Sequence, residues 1–332
     1  VKRDHKIDYL GAILMVTAVC LVLLSVSIYG PQDGWTDSRT IGFLAVGLLL
    51  TVVFLMWEKR AVEPILPLHL FKNHTFSITS LLGAVIGAGM FGAIVMLPLY
   101  FQVVKGYSAT EAGLKLIPLM LGIVSTSIIS GKLITKHGHY KRYPIMGTSI
   151  MTIGVLFMTR LQIDTPYWQI SIYAIMVGAG LGLSMQTIVI ALQNAVDFRD
   201  MGVATSSNTF FRSLGSVFGT AIFGSILTNR VVHYMSSGFA DLGKTNPAAL
   251  EGFDTSKLAT LTTNTAVLKT FPPIIKDTAL EAFVNSFHVV FYAAAPITAI
   301  GLIFALMLRE TPLRTSKDYA AAREEAAGES LA

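Results

Sequence analysis

Residues 78–104 read ITSLLGAVIGAGMFGAIVMLPLYFQVV, a stretch without one charged side chain. A bilayer core about 30 Å thick is crossed by roughly 20 helical residues, so this stretch alone suffices for a membrane span. The same texture recurs on both flanks. Runs at about 9–29, 39–57, 111–135, 143–162, 167–195, 203–229 and 283–308 join it. Of the 20 Asp and Glu in the 332 residues, none falls in the central part of a run. A charge at the bilayer centre costs about 3 kcal/mol or more, so spanning helices exclude it. Hydrophobic residues make up 53% of the chain and charged residues 14%, against roughly 25% charged in an ordinary soluble domain. The expected fold is an all-α membrane protein with about eight transmembrane helices.

Lys and Arg set the orientation. Lys2, Arg3, Lys6, Lys59, Arg60, Lys72, Lys132, Lys136, Lys141, Arg142, Arg199, Arg309, Arg314, Lys317 and Arg323 fall at one set of alternating connections and at both ends. The short connections on the other side and their helix edges hold only Arg39, Lys105, Lys115 and Arg160. Both ends are therefore expected in the cytoplasm, with the chain multi-pass in the plasma (inner) membrane. The net charge of +5 is largely covered by this bias, and no nucleic-acid partner is called for. The single cysteine, Cys20, excludes an intramolecular disulfide framework. The first residue is Val1 and no signal peptide is read before the first helix, so the chain is expected to be an excerpt that begins in a cytoplasmic loop.

Three parts follow: a two-helix pair with its connection (1–77), a six-helix bundle (78–308) and a cytoplasmic tail (309–332). Within the bundle, 78–162 and 167–308 form two possible groups of three, whose first helices each carry clustered glycines: Gly83, Gly87, Gly89 and Gly178, Gly180, Gly182. Internal three-helix similarity suits a transporter built from inverted repeats. Four-residue glycine spacing, also at Gly215 and Gly219, suits close helix contact whether or not the helices move. Pro98, Pro118 and Pro296 should interrupt or kink their helices. The outer segment 230–282 is expected to hold one short helix among loops and no independent core.

Three stretches carry a family resemblance. Leu97–Pro118, LPLYFQVVKGYSATEAGLKLIP, resembles the outer turn of the EmrB/QacA branch of the major facilitator superfamily, the drug:proton antiporters with fourteen membrane helices. Gly131–Arg142, GKLITKHGHYKR, is similar to the superfamily's cytoplasmic loop motif, with Thr135 where the motif holds an acid. Asn208–Gly224, NTFFRSLGSVFGTAIFG, resembles the Arg-x-x-Gly-x-x-x-Gly helix of that branch. The resemblance implies that 1–77 is the pair inserted between two six-helix halves and 78–308 is the second half. The first half is then a missing partner, and this chain alone is not expected to transport.

The candidate sites follow. The resemblance implies that the first helix of each repeat lines a central cavity, which points to Phe91, Met96, Tyr100, Met185, Gln186 and Gln193. Adaptable Met and aromatic walls suit amphipathic or cationic small molecules, while lipid-facing or helix-packing roles are equally open to each residue. Gly131, Thr135, Lys136, Gly138, Lys141 and Arg142 form a candidate gating loop, or simply a basic cytoplasmic turn. Arg212 either snorkels to the cytoplasmic surface or makes a polar contact with Asn208 toward the missing half. Glu111 and Lys115 form a structural i,i+4 pair, and Glu281, Asn285 and His288 share one face and offer a possible proton site.

Metalloprotease, nucleophile-elbow and phosphate-loop signatures are absent from the sequence. The expected function is non-enzymatic: proton-gradient-driven multidrug efflux by alternating access, without a cofactor. Export of a specific lipid, siderophore or metabolite, or a non-transporting scaffold or sensor, are the alternatives.

Overall fold

The structure is a computed structural model that describes residues 8–30, 34–61, 64–247 and 271–313, with the side chains of 91–93 set aside. Helix α1 (Tyr9–Leu24) runs on through a π turn at Ser25–Tyr29, and α2 (Ser38–Glu58) returns beside it. The hairpin closes on small residues and one polar bond. Gly47 sits against Val22 and Ala18, and the buried Ser25 hydroxyl donates to the Thr40 carbonyl at 2.8 Å. A 3-10 turn at Leu68–Lys72 leads into α3 (His74–Val103), whose N-cap Asn73 accepts from the Thr75 and Phe76 amides.

Helices α4 (Ala109–Leu114), α5 (Ile117–His137), α6 (Arg142–Met158), α7 (Tyr167–Ala195), α8 (Met201–Thr245) and α9 (Pro273–Met307) complete the chain. Pro118 lies in the first turn of α5, so the run 111–135 is broken into α4 and α5 where proline costs least. Pro98 and Pro296 lie inside α3 and α9. Among the described residues, seven helices are long and apolar enough to cross a membrane. The run read as 143–162 is the short one. Its helix α6 has 17 residues, about 26 Å at 1.5 Å per residue, because Thr159 and Arg160 leave it in a turn.

The six bundle helices interlock. Helix α3 packs on α8 and α9, and α7 packs on α5 and α6. The first helix of each group of three thus lies against the second and third of the other group. Glycine makes these contacts possible. A Cβ at Gly87 would collide with the Arg212 carbonyl, and one at Gly215 with the Ala84 carbonyl, while Gly219 faces Ala88. The α5–α7 seam repeats the arrangement. Gly178 meets the backbone of Leu119, Gly182 that of Ile123, and Gly122 that of Ile175. Lipid tails supply no hydrophobic drive between helices, so such close approach carries the association.

The described parts of segment 230–282 correct the expectation of loops with one short helix. Helix α8 continues unbroken for 45 residues, about 68 Å, far more than a bilayer core requires. Val231, Met235, Phe239 and Leu242 recur at helical spacing and are buried with Ile275, Ala279 and Phe283 of α9 in the main core. The interleaved His233, Ser236, Ser237 and Gly238 disguise a stripe that is easy to miss in the sequence. Residues 248–270 of that segment, most of the tail 309–332, and residues 1–7 lie outside the described residues.

Replacing Gly215 by Leu should force α8 off α3 at an overpacking cost of about 2 kcal/mol. Gly42, which has open space where a Cβ would go, should accept Ala without loss. Thermal unfolding of the purified protein in detergent checks both, and equal melting of G215L and wild type would refute the close approach.

Candidate functional site

Two ends of the bundle are closed by side chains that reach backbone carbonyls. At the basic end, where α5, α7 and α9 finish, the fully buried Tyr140 is the centre. Its hydroxyl donates to the Arg309 carbonyl or Thr311 Oγ1 at 3.0 Å and accepts from the Thr311 amide at 2.9 Å. Its own amide donates to Glu310 Oε1 at 3.1 Å, and His139 Nδ1 lies 3.2 Å from the same oxygen. Asn194, next to the end of α7, donates to Thr311 Oγ1 and the Pro312 carbonyl, both at 2.9 Å. The segment after α9 is therefore a strap across the ends of α5, α6 and α7. A second tie sits beside it: Asn73 donates to the Ala195 carbonyl at 2.6 Å, and His69 lies 3.2 Å from Asp200.

The candidate gating loop runs into this strap. Gly138 caps α5 at φ +75°, a left-handed conformation that a Cβ would strain, and its amide donates to the Ile134 carbonyl. Thr135, at the motif's acidic position, turns its hydroxyl back to the Gly131 carbonyl at 2.9 Å. Gly131 itself lies inside α5, and a Cβ there would sit 3.8 Å from Gln186 Cγ of α7. Lys136 and Arg142 are exposed and Lys141 half-buried; among the described residues none of the three side chains has a polar partner. Tyr140, Glu310 and Thr311, which fasten the loop, escaped the sequence reading. A lone tyrosine and a carboxylate 170 residues apart leave no local pattern.

The five cavity candidates whose side chains are described do not form one cluster. Tyr100 is fully buried and Met96 nearly so, close to the α3 end remote from the basic face. The Tyr100 hydroxyl donates to the Gln162 carbonyl at 2.6 Å, and its ring meets Phe287 edge-on at 5.7 Å. Met185 packs half-buried on the main core. Gln186 is exposed on α7, and Gln193, also half-buried, lies 3.5 Å from Thr205 of α8 near the basic end. The side chain of Phe91 lies outside the described residues.

Asn208 corrects one expectation. It is buried and donates to the Thr79 carbonyl of α3 at 2.9 Å, so it serves the inside of the bundle and does not reach outward. Gly83 provides the room, with its Cβ position 3.1 Å from the Asn208 amide. Arg212 is half-buried, and among the described residues its guanidinium has no partner. Around it, Ser206, Thr209, Ser213 and Val217 form an exposed, largely hydroxylated stripe along α8.

The opposite end is closed by other means. The Lys105 ammonium donates to the Ile163 and Thr165 carbonyls, each at 2.6 Å, and burial lowers its pKa against the opposing pull of Asp164. His288 holds the Leu161 carbonyl through Nε2. Glu281 and Asn285 line a cavity of about 330 Å³ with Gln162, Ile163 and Asp164, and His288 is not part of that lining. Glu111 closes a capping box with Ser108, while the Lys115 ammonium lies 3.9 Å from the centre of the Tyr167 ring.

With this geometry in place, the relatives are informative. Residues 9–220 match the Major Facilitator Superfamily profile. An uncharacterized MFS-type transporter of Mycobacterium tuberculosis is 35% identical over 95% of this chain and 44% of its own length. Multidrug transporter protein MdtP of Bacillus subtilis is 34% identical over 93% of this chain and 60% of its own. A tetracycline resistance determinant of Streptomyces rimosus is 29% identical over 97% and 96%. The chain thus spans about half the length of the first two. The structure of a bacterial homolog of the human lysosomal transporter Spinster, inward-facing and occupied, matches 91% of this chain and 65% of its own, with a TM-score of 0.55 at 15% identity, a likeness of fold alone. Interlocked three-helix groups, seven long apolar helices and the profile match agree: this chain belongs to the Major Facilitator Superfamily.

Proposed function

We propose that the chain is the C-terminal part of an EmrB/QacA-type exporter that expels amphipathic or cationic small molecules by alternating access, driven by the proton gradient. In this reading α1 and α2 are the inserted pair, α3–α9 are the second half, and the basic end faces the cytoplasm of a cell whose plasma membrane holds the carrier. The observation that carries it is the polar exposure of membrane helices. Gln186 on α7 and Ser206, Thr209 and Ser213 on α8 lie uncovered, and the two helices touch through Gln193 and Thr205. Thr209 already bonds the Thr205 carbonyl, but hydrocarbon gives the other three side chains nothing, whereas a water-filled cavity or a second six-helix half would. Relatives named for multidrug transport and tetracycline resistance support the substrate class.

The described spans carry no Asp or Glu in their central parts, so the protonating carboxylate belongs to the partner half. The exposed Lys136 and Arg142 would then meet acidic groups of that half across the cytoplasmic mouth.

Expressed with a first six-helix half, the carrier should lower cellular accumulation of a cationic dye, and an uncoupler should abolish the effect. Efflux that persists in the uncoupler would overturn proton coupling, and dye accumulation equal to the empty-vector control would overturn drug export.

The strap gives a sharper test. Glu310→Ala removes the acceptor of the Tyr140 amide, worth about 1.5 kcal/mol for a charged acceptor. It should cut dye efflux about tenfold at unchanged membrane abundance. Full efflux by E310A would show that the strap holds the bundle together without taking part in gating.

A further inference from the structure

The helix pair leans on the bundle almost entirely through α8, at the π turn Ser25–Tyr29 and the adjoining part of α1. A furrow runs along this seam. Its floor is one stripe of α8 at helical spacing: Phe211, Leu214, Ile222, Ser225, Asn229 and His233. Toward the basic end the furrow holds about 440 Å³ between apolar walls, among them Phe54 and Leu66. Toward the other end it holds about 490 Å³, and there its chemistry changes.

That outer part is amphipathic in the order a lipid requires. Asn229, Arg230 and His233 stand at the top, farthest along α8, and Trp35 lies at one side. Val26, Ile222, Ile226 and Val289 form the largely apolar part below, with Ser225 among them. Gly215 and Gly219 of α8 face Ala84 and Ala88 of α3 in parallel, so Arg230, about three turns beyond Gly219, stands close to the level at which α3 ends, at Val103. The turn between α1 and α2, which carries Trp35, reaches the same level, and indole favours the interface. Arg230 therefore stands at headgroup height, with the apolar wall inside the hydrocarbon. Among the described residues no carboxylate lines the cavity and the guanidinium has no polar partner.

We propose that this furrow is a binding site for a phospholipid with a net-negative headgroup, in the leaflet remote from the basic end. Arg230 takes the phosphate oxygens, Asn229 and His233 complete the polar rim, and an acyl chain lies along Ile222, Val26 and Val289. The lipid fills the seam that side chains leave open and couples the helix pair to α8. The fit is one of charge and polarity. A guanidinium matches a phosphate, and only a molecule with an apolar tail gains from the wall beneath it.

The test is native mass spectrometry of the intact chain in detergent, titrated with phosphatidylglycerol and phosphatidylcholine of equal chain length. The first phosphatidylglycerol should bind about tenfold more tightly than phosphatidylcholine, the scale of one charge-assisted contact. Arg230→Gln should erase that preference and Arg230→Lys keep most of it. Lys276→Gln, an exposed cation beyond the furrow, should leave it intact. Ile226→Trp should fill the apolar part and weaken both lipids, and phosphatidylglycerol should raise the melting temperature of wild type but not of R230Q. Equal binding of the two lipids, an unchanged preference in R230Q, or displacement of the lipid by inorganic phosphate alone would overturn the proposal; the last would mark a simple anion site.

Discussion

Close approach of backbones at glycine is the constraint on which the bundle depends. Between membrane helices no hydrophobic gain rewards a loose contact, so association rests on packing and on hydrogen bonds made at short range. At Gly87, Gly215, Gly178 and Gly182 a neighbouring backbone occupies the space a Cβ would take. The pattern is duplicated: α3 meets α8 as α7 meets α5. That duplication explains why glycines cluster in the first helix of each group, where both cross-group contacts converge.

Close approach also decides which polar groups the interior tolerates. Ser216 reaches the Gly87 carbonyl at 3.2 Å, Thr126 the Ala179 carbonyl at 3.0 Å and Ser127 the Gly182 carbonyl at 3.1 Å. Each bond crosses between helices and has a glycine at or beside its acceptor. Asn208 follows the same rule beside Gly83. Short side chains span these gaps only because the helix axes are near, and their bonds in turn hold the register of α3 on α8 and of α7 on α5.

The spans were legible because charge is excluded from hydrocarbon, a constraint that acts on every residue of a run. Run 78–104 became α3 and run 167–195 became α7 with little change. The misreadings have local causes. Thr159 and Arg160 are compatible with a helix edge, so α6 was read too long. The stripe Val231, Met235, Phe239 and Leu242 is interrupted by Ser, Gly and His, so the extension of α8 was read as loop. The site was less legible than the fold. Gln186 and Tyr100 carry the same suggestion of a polar group in a membrane helix, yet one is exposed and the other hydrogen-bonded in the core. Helical periodicity gives each residue a face but does not say which neighbour that face meets.

Fastening at both ends has a consequence for motion. At the basic end Tyr140, Glu310 and Asn194 join α5, α6, α7 and the strap after α9. At the other end Tyr100, Lys105 and His288 join α3 and α9 to the turn at 161–165. Every such contact ends on a backbone carbonyl or amide or on a short side chain beside one, so sliding one helix would break bonds at its far end as well. Glycine seams between the two fastenings leave no slack for a hinge. In the proposed carrier the six helices would therefore move as one body, and displacement would fall to surfaces without such ties: the furrow beside α1 and α2, and the exposed polar stripes of α7 and α8.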